Sequence, residues 1–166
     1  MRIVLLSDSH GEVRLMKRAV VNAAQGGQID LFLFLGDGVS DFYSLDSLMA
    51  EKNALAPREA VLGNNDMQRP GLRGEGVIAV EKRRLLAVHG NRYGVKQGDG
   101  ALLHAAKAHG CTIACHGHSH RPCFYEKNGV WIMNPGTVGS PFGEKPSFGI
   151  LTVDDDKGVF GEIHYL

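Results

Sequence analysis

The sequence predicts one α/β domain, residues 1–166, whose first half winds as a parallel sheet and whose second half is richer in antiparallel strands. In the first half, short apolar runs alternate with helical segments, which is typical of parallel strands covered on both faces. Beyond Gly76, strand-like runs follow one another through hairpin turns. A chain of this length buries roughly 70% of its unfolded surface, which is enough for one such core.

The first half alternates strands with helices. Three short apolar runs predict buried strands at residues 3–6, 31–35 and 59–62. Apolar residues at helical spacing predict a helix over 12–24, which Gly26-Gly27 ends with a left-handed cap. Ser40 or Asp41 is expected to cap a second helix that runs to about residue 51.

The second half is dominated by strands. Seven are predicted, at residues 77–80, 85–88, 111–115, 123–126, 130–133, 148–153 and 159–164. A helix over 99–108 interrupts them, and residues 127–129 and 154–158 have hairpin-turn composition. The basic run Lys82-Arg83-Arg84 is interpreted as a solvated turn rather than a site of weak attraction for anions.

Composition excludes several classes of function. Eighteen basic residues balance eighteen acidic ones, so no net charge draws the chain towards nucleic acid or an anionic membrane. The N-terminal apolar run is too short for a signal peptide or a membrane span. The three cysteines have no regular spacing, so we expect buried thiols in a reduced, cytoplasmic setting rather than disulfides or a zinc site.

Residue types that bind metals recur where predicted strands end. They are Asp8, His10, Asp37, Asn64, His89, His118 and His120. The carboxyl ends of strands in such a fold share one rim, so these side chains are expected to converge. Nitrogen and oxygen ligands without thiolates suit Mn, Fe, Ni, Co or Zn. Two such ions about 3.5–4 Å apart can clamp a phosphate, and Asp37 between two glycines is suited to bridge them.

Taken singly, the same residues are typical of ordinary structure. Asp8 and His10 suit a helix N-cap followed by a surface histidine, and a Gly-Asp-Gly sequence around Asp37 suits a turn. His116 is expected to complete a strand or to support the site rather than to bind metal. Arg92-Tyr93 suits either substrate contact or loop packing. The order of all the segments, each after a strand, favours a metal site.

Together the motifs resemble those of the calcineurin-like metallophosphoesterases. The five matching segments are Asp8-Ser9-His10, Gly36-Asp37, Gly63-Asn64-Asn65-Asp66, His89-Gly90 and Gly117-His118-Ser119-His120. The short chain, the Gly-Asn-x-Asp variant and the segment Asn134-Pro135-Gly136-Thr137 are similar to the small bacterial and archaeal phosphodiesterases of the YfcE/MJ0936 type. The resemblance covers essentially the whole chain.

The resemblance implies a four-layer α/β/β/α sandwich with two mixed β-sheets and a centre of two divalent ions. One ion would be held by Asp8, His10, Asp37 and His120. The other would be held by Asp37, Asn64, His89 and His118. The nucleophile would be a hydroxide shared by the ions. Manganese is expected first, with Ni, Fe, Co or Zn as alternatives.

The family also implies catalytic roles for Asn64, Asn65, Asp66 and His89. Many members have histidine where Asn65 stands, and that histidine stabilises the transition state or protonates the leaving group. Asn65 can donate a hydrogen bond but cannot transfer a proton at neutral pH. Substrates with good leaving groups are therefore expected to react best.

Two classes of function follow from the resemblance. The first is a phosphodiesterase acting on a small phosphodiester, with a phosphomonoesterase as the alternative within catalysis. The second is a non-catalytic protein-binding scaffold, because one eukaryotic relative, a retromer subunit, uses the fold in that way. The presence of His89 favours the enzyme, since a scaffold is expected to lack it. The resemblance leaves a homodimer or a homotetramer open.

Overall fold

Ten strands and four helices make up the computed structural model, which describes residues 1–52 and 56–166. The strands are β1 (Arg2–Leu6), β2 (Leu31–Phe34), β3 (Arg58–Ala60), β4 (Glu75–Val80), β5 (Arg83–Val88), β6 (Ile113–Cys115), β7 (Cys123–Lys127), β8 (Val130–Asn134), β9 (Ser147–Asp154) and β10 (Gly158–Tyr165). The helices are α1 (Val13–Gln25), α2 (Val39–Ser44), α3 (Asp46–Lys52) and α4 (Gly100–Ala108), with a short 3₁₀ helix at Asn91–Tyr93.

The strands form two mixed sheets of five. The first has the order β10-β9-β1-β2-β3, in which β1, β2 and β3 run parallel and β9 pairs antiparallel with both β1 and β10. The second has the order β4-β5-β6-β8-β7, with a parallel centre of β5, β6 and β8 between antiparallel edge strands. Parallel pairing is thus not confined to the first half of the chain.

The side chains of β1 point alternately into two hydrophobic cores, one on each face of the first sheet. Successive side chains of a strand point to opposite faces. Ile3 and Leu5 pack in a core between the two sheets, whereas Val4 and Leu6 pack with Met16 in a core beneath the helices α1 to α3. The first sheet is therefore covered on both faces.

The second sheet is built in the same way from β5. Leu85 faces the core between the sheets, while Leu86 and Val88 pack against Leu102 of α4. Helices, two sheets and a helix thus stack in four layers, which confirms the α/β/β/α sandwich that the sequence resemblance implied. This stacking places the parallel centres of the two sheets next to one another.

Most predicted elements exist, and their differences lie at the ends. The predicted second helix is two helices, α2 and α3. Its predicted end, at about residue 51, lies next to residues 53–55, which are outside the described residues. Ser40 and Asp41 do not cap it, because both lie inside α2; the carboxylate of Asp41 instead accepts hydrogen bonds from Ser9 Oγ and the Gly11 amide, at 2.6 and 2.8 Å. At the end of α1, Gly27 rather than Gly26 has the positive φ.

The third predicted strand is shorter than expected. It ends at Ala60, and the amide of Leu62 bonds to the carbonyl of Arg73 at 2.8 Å instead of continuing the ladder. In the basic hairpin, Glu81 and Lys82 form the turn, and Arg83 already begins β5. Across the described ranges, no helix combines the length and the apolarity needed to cross a membrane.

Candidate metal centre

The predicted ligands follow the carboxyl ends of five strands. Asp8 and His10 follow β1, Asp37 follows β2, Asn64 follows β3, His89 follows β5, and His118 and His120 follow β6. Direct backbone hydrogen bonds join these loops: the amide of Asp8 donates to the carbonyl of Gly36 at 2.9 Å, and the amide of Gly117 donates to the carbonyl of His89 at 3.0 Å. Across the sheets, the amide of His118 donates to Asp8 Oδ2 at 3.0 Å, so loops of both sheets meet at one rim.

Backbone conformation sets the ligands apart from other residues. In the described part of the chain, seven residues other than glycine have positive φ, and five of them are predicted ligands: Asp8, His10, Asp37, His118 and His120. The other two, Glu81 and Asn128, lie in hairpin turns. Left-handed backbone costs a non-glycine residue roughly 1–2 kcal/mol. Such strain concentrates at functional sites, where the surrounding structure holds it in place.

Asp8, His10 and His120 form the first group of ligands. Asp8 Oδ1 lies 3.2 Å from His120 Nε2 and 3.8 Å from His10 Nε2, and the two nitrogens are 3.4 Å apart. A point about 2.0 Å from all three atoms lies in the plane of this triangle, and that matches the ligand distances of an ion such as zinc, about 2.0–2.2 Å. The three atoms therefore fit a small divalent cation.

Hydrogen bonds leave one atom of Asp8 and one of His120 free to face this point. Asp8 Oδ2 accepts hydrogen bonds from Ser7 Oγ and from the amide of His118, which is 3.0 Å away. His120 Nδ1 lies 2.8 Å from Glu144 Oε1. A carboxylate in this position holds the ring with its Nδ1 proton towards Glu144, so Nε2 presents its lone pair to the site.

Asp37, His89 and His118 form the second group. His89 is buried, and its Nδ1 lies 2.7 Å from the carbonyl oxygen of Leu35. Because a carbonyl only accepts hydrogen bonds, Nδ1 is the protonated nitrogen and Nε2 has the lone pair. This Nε2 lies 3.4 Å from Asp37 Oδ2. Two acceptor atoms thus face one another in a buried place.

Two orphaned atoms support a cation at each group. Asp8 Oδ1 and His89 Nε2 are buried, and neither has a hydrogen-bond partner among the residues that the structure describes. Buried polar atoms are nearly always satisfied, so each such atom calls for an explanation. One orphan belongs to each ligand group, and each faces other lone pairs. A divalent ion would satisfy both atoms, and the residues present therefore fit the metals that the sequence resemblance implies.

Neighbouring groups offset the effect of burial on the pKa values of three candidate ligands. Burial would raise the pKa of Asp37, but the nearby imidazole of His89 and the hydrogen bonds from Asn65 lower it to about 2, so this carboxylate is ionised at neutral pH. Burial would lower the pKa of His89, yet the nearby carboxylates of Asp37 and Asp8 raise it. Asp8 is the main cause of the raised pKa of His120. The pKa of His118 is lowered, chiefly by burial.

The residues of the Gly-Asn-Asn-Asp segment have different surroundings. Asn64 is exposed, follows directly on a glycine whose backbone touches Asp37, and borders a small polar pocket of about 240 Å³ together with Arg92. Asn65 donates to Asp37 twice, from its amide to Oδ1 at 2.8 Å and from its side chain to Oδ2 at 2.7 Å. The roles of Asn64 as a metal ligand and of Asn65 as a hydrogen-bond donor to the substrate remain predictions.

Asp66 bonds to the backbone of two loops. Its Oδ2 accepts hydrogen bonds from the amides of Asp37 and Gly63, at 2.7 and 2.8 Å. Its Oδ1 accepts from the amides of Gly38 and Val39, at 2.8 and 2.9 Å. One carboxylate thus joins the loop after β3 to the turn that carries Asp37 and caps α2. The catalytic role predicted for Asp66 remains a prediction.

A close approach of backbones positions the second group. A Cβ at Gly36 would lie 2.8 Å from the Cα of Gly63 and 2.8 Å from His89 Nδ1, and one at Gly63 would collide with the Asp37 carboxylate. Only glycine fits at either place, because real Cβ atoms do not come so near to backbone. The glycines of the motifs therefore let two loops meet around Asp37.

The segment that begins with Asn134, the last residue of β8, supports the rim. The buried side chain of Asn134 donates to the carbonyl of Gly117 at 3.2 Å and to Ser119 Oγ at 2.8 Å. Thr137 Oγ1 donates to the carbonyl of Asp8 at 2.7 Å. Both residues thereby hold the backbones of two ligand loops without reaching the ligand atoms themselves.

Sequence reasoning missed two side chains that hold ligands. The sequence pattern assigned no role to Ser7, whose hydroxyl donates a hydrogen bond to Asp8 Oδ2. Glu144 lies in a loop without any recognisable motif, so no sequence signal distinguishes it from other exposed acids. Of the residues left undecided, Tyr93 bonds to Glu75 and packs the loop, and His116 is buried beside Asn134.

Comparisons with known proteins agree with this geometry. The family model described as "Calcineurin-like phosphoesterase superfamily domain" matches residues 1–156. "Probable metallophosphoesterase YsnB" of Bacillus subtilis (strain 168) is 30% identical over 161 residues, covering 96% of this chain and 88% of its own. "Phosphodiesterase YfcE" of Escherichia coli (strain K12) is 26% identical over 171 residues, covering 93% and 89%.

Solved structures share the fold over the whole length. A novel archaeal phosphodiesterase has a TM-score of 0.79 at 21% identity, with all of both chains covered. Vps29 of Chaetomium thermophilum has a TM-score of 0.72 at 19% identity, with 100% of this chain and 97% of that chain covered. At these sequence identities, the structural matches show only that the fold is shared. The family model matches residues 1–156, a range that contains both ligand groups. This protein therefore belongs to the calcineurin-like phosphoesterase superfamily of metallophosphoesterases.

Proposed function

We propose that this protein is a phosphodiesterase that hydrolyses a small phosphodiester at a centre of two divalent ions. The first ion would be held by Asp8, His10, Asp37 and His120. The second would be held by Asp37, Asn64, His89 and His118. The observation that carries the proposal is the pair of orphaned buried atoms, Asp8 Oδ1 and His89 Nε2, one in each ligand group.

Two divalent ions held by these residues would polarise the phosphoryl oxygens of a substrate and would lower the pKa of a bound water. The chain's own residues supply position and charge. The carbonyl of Leu35 fixes the His89 ring, Glu144 fixes the His120 ring, and Asp66 holds the backbone around Asp37. The mixture of neutral imidazoles and few carboxylates leaves the site able to accept an anionic phosphodiester.

The segment Gly63-Asn64-Asn65-Asp66 has no histidine at the position from which many relatives protonate the leaving alcohol. Asn65 lies on Asp37 and offers amide hydrogens, which can bind a phosphoryl oxygen but do not titrate. We therefore expect hydrolysis rates to fall steeply as the pKa of the leaving alcohol rises. Nitrophenyl esters are accordingly the substrates of choice for a first assay.

The test is hydrolysis of bis-p-nitrophenyl phosphate by protein stripped of metal, with and without added Mn²⁺. Activity that needs the metal and exceeds activity on p-nitrophenyl phosphate supports a phosphodiesterase over a phosphomonoesterase. Asp37→Asn is expected to lower kcat at least about 100-fold, because it removes the ionised carboxylate that is proposed to bind both ions. Asp156→Asn is the matched control, since Asp156 lies exposed in the turn between β9 and β10.

A scaffold without activity is the alternative, which the fold shared with Vps29 supports. It predicts that folded protein hydrolyses neither ester with Mn²⁺, Ni²⁺, Co²⁺, Fe²⁺ or Zn²⁺. The presence of two clusters of candidate ligands favours the enzyme, because a scaffold has no need for a buried atom without a hydrogen-bond partner in each cluster.

A further inference from the structure

A cavity of about 550 Å³ lies beside the candidate metal centre. His116 and Ser119 line it, and both belong to the loop that carries the ligands His118 and His120. The cavity and the ligand groups therefore share one loop as a wall. Its volume is within the range of small-molecule sites, roughly 300–1,000 Å³, and greatly exceeds what a phosphate alone requires.

The charges that line the cavity are predominantly positive. Lys127 is paired with Asp99 at 2.8 Å, and Tyr125 also donates to Asp99 at 3.0 Å. The remaining cations of the lining, Lys96 and Arg121, have no carboxylate partner among the residues that the structure describes. Three cations thus face one carboxylate, in a protein whose net charge is zero.

The other walls are suited to an organic group. Val95 and Pro122 contribute apolar surface next to the aromatic ring of Tyr125. A site with apolar walls and a few charged groups is typical of pockets that bind part of a small molecule. Unpaired cations at such a site attract an anion, and low-dielectric walls strengthen that attraction.

We propose that this cavity binds an ester substituent of the substrate that has an anionic group of its own, such as a phosphate, with Lys96 and Arg121 as its binding residues. This inference rests on the proposed phosphodiesterase function and names the substrate class: a phosphodiester of an alcohol that is itself phosphorylated.

The test compares two probes that differ by one phosphate. Binding of thymidine 3′,5′-bisphosphate and of thymidine 5′-monophosphate to the Mn²⁺-loaded protein is measured by calorimetry. Each exposed cation contributes up to about fivefold in affinity, so roughly tenfold tighter binding of the bisphosphate is expected. In Lys96→Ala/Arg121→Ala this ratio should fall close to one. Lys17→Ala/Arg18→Ala is the matched control, because it removes the same two charges from the exposed face of α1.

Equal affinities for the two probes in the wild type would overturn the proposal, as would a preference that the cavity variant retains. Hydrolysis is followed separately, on the 5′-p-nitrophenyl phosphate esters of thymidine with and without a 3′-phosphate. A binding preference that depends on the two cations supports the cavity assignment even without hydrolysis, and the lack of hydrolysis would then count against the phosphodiesterase alone. Higher kcat/KM for the 3′-phosphorylated ester supports both.

Discussion

At the scale of single residues, the centre depends on how each ligand side chain is held. Imidazole rings can rotate and exchange their protonated nitrogen, so a ligand histidine needs a second partner on its other nitrogen. His89 has the carbonyl of Leu35, and His120 has the carboxylate of Glu144. Asp8 is held in a similar way, because one of its oxygens accepts two hydrogen bonds and the other remains free.

Replacing Glu144 should weaken metal binding without removing a ligand. Glu144→Ala leaves the His120 ring free to turn, and losses of this kind typically lower metal affinity about 10–100-fold. Calorimetric titration of metal-stripped protein with Mn²⁺ measures the change. Glu162→Gln is the control, because the exposed carboxylate of Glu162 bonds to His164 on β10 and belongs to neither ligand group. An unchanged affinity in Glu144→Ala would show that the rim holds His120 by itself.

At the scale of elements, one carboxylate organises the turn between β2 and α2. Asp66 accepts four backbone amides from two loops, so it caps α2 in place of the side chain that the sequence suggested. Hydrogen bonds to a charged group are the stronger kind, and amides left without partners in a partly buried turn are costly. The position of Asp37 therefore depends on the loop after β3.

Asp66→Ala should lower the free energy of unfolding by about 3 kcal/mol, since it orphans several amides at once. Urea unfolding followed by circular dichroism measures this, with Asp156→Ala as the control in an exposed turn. If the loss stayed below about 1 kcal/mol, water would be replacing the carboxylate. We also expect Asp66→Ala to weaken metal binding, because the backbone of Asp37 loses its support.

At the scale of the whole molecule, two sheets bring ligands from distant parts of the chain to one rim. The first group joins loops after β1 and β6, and the second joins loops after β2, β5 and β6. Neither sheet holds a complete group without the other. Metal binding should therefore stabilise the packing of the sheets, because an ion that binds only the folded state shifts unfolding by mass action.

This stabilisation should depend on pH. The pKa values of His89 and His120 are raised in the protein without metal. Protonation of these rings therefore contributes stability below the ordinary histidine pKa of about 6.5, and this contribution is lost as the pH rises through the raised values. Ion binding requires the unprotonated rings. The increase in Tm on adding Mn²⁺ should thus be small at pH 5.5 and grow towards pH 8, as measured by scanning calorimetry; an increase independent of pH would contradict these ligands.

Thiol reactivity tests the core between and around the sheets. Cys115 is fully buried and burial raises its pKa, while Cys111 is buried and Cys123 is half-buried. Only the thiolate attacks Ellman's reagent. We expect at most one thiol, that of Cys123, to react in the native protein within minutes and all three to react in guanidinium chloride. Fast reaction of two or more native thiols would mean that the sheets separate easily.

Local pattern predicted much of this structure because the relevant physics is local. Apolar runs located nearly every strand, and Gly, Asn and Ser after them located the loops that carry Asp8, Asp37 and His89. The predicted second helix was wrong in its continuity, since it is broken at Leu45, which is buried beneath the first sheet. Helical periodicity did not distinguish one helix from two that pack on the same core.

The sequence by itself determined the donor set, the order of ligand loops and, through resemblance, the superfamily, because each depends on residue identity at short spacing. Only the tertiary structure decided that Glu144 holds His120, that Asp66 joins four amides, and that Lys96 and Arg121 line one cavity beside the centre. Apart from the amide of Gly63, which is 3 residues from Asp66, these partners are 24 or more residues apart. Contacts over such distances depend on how two sheets stack and on how their loops fold, which periodicity along the chain does not encode.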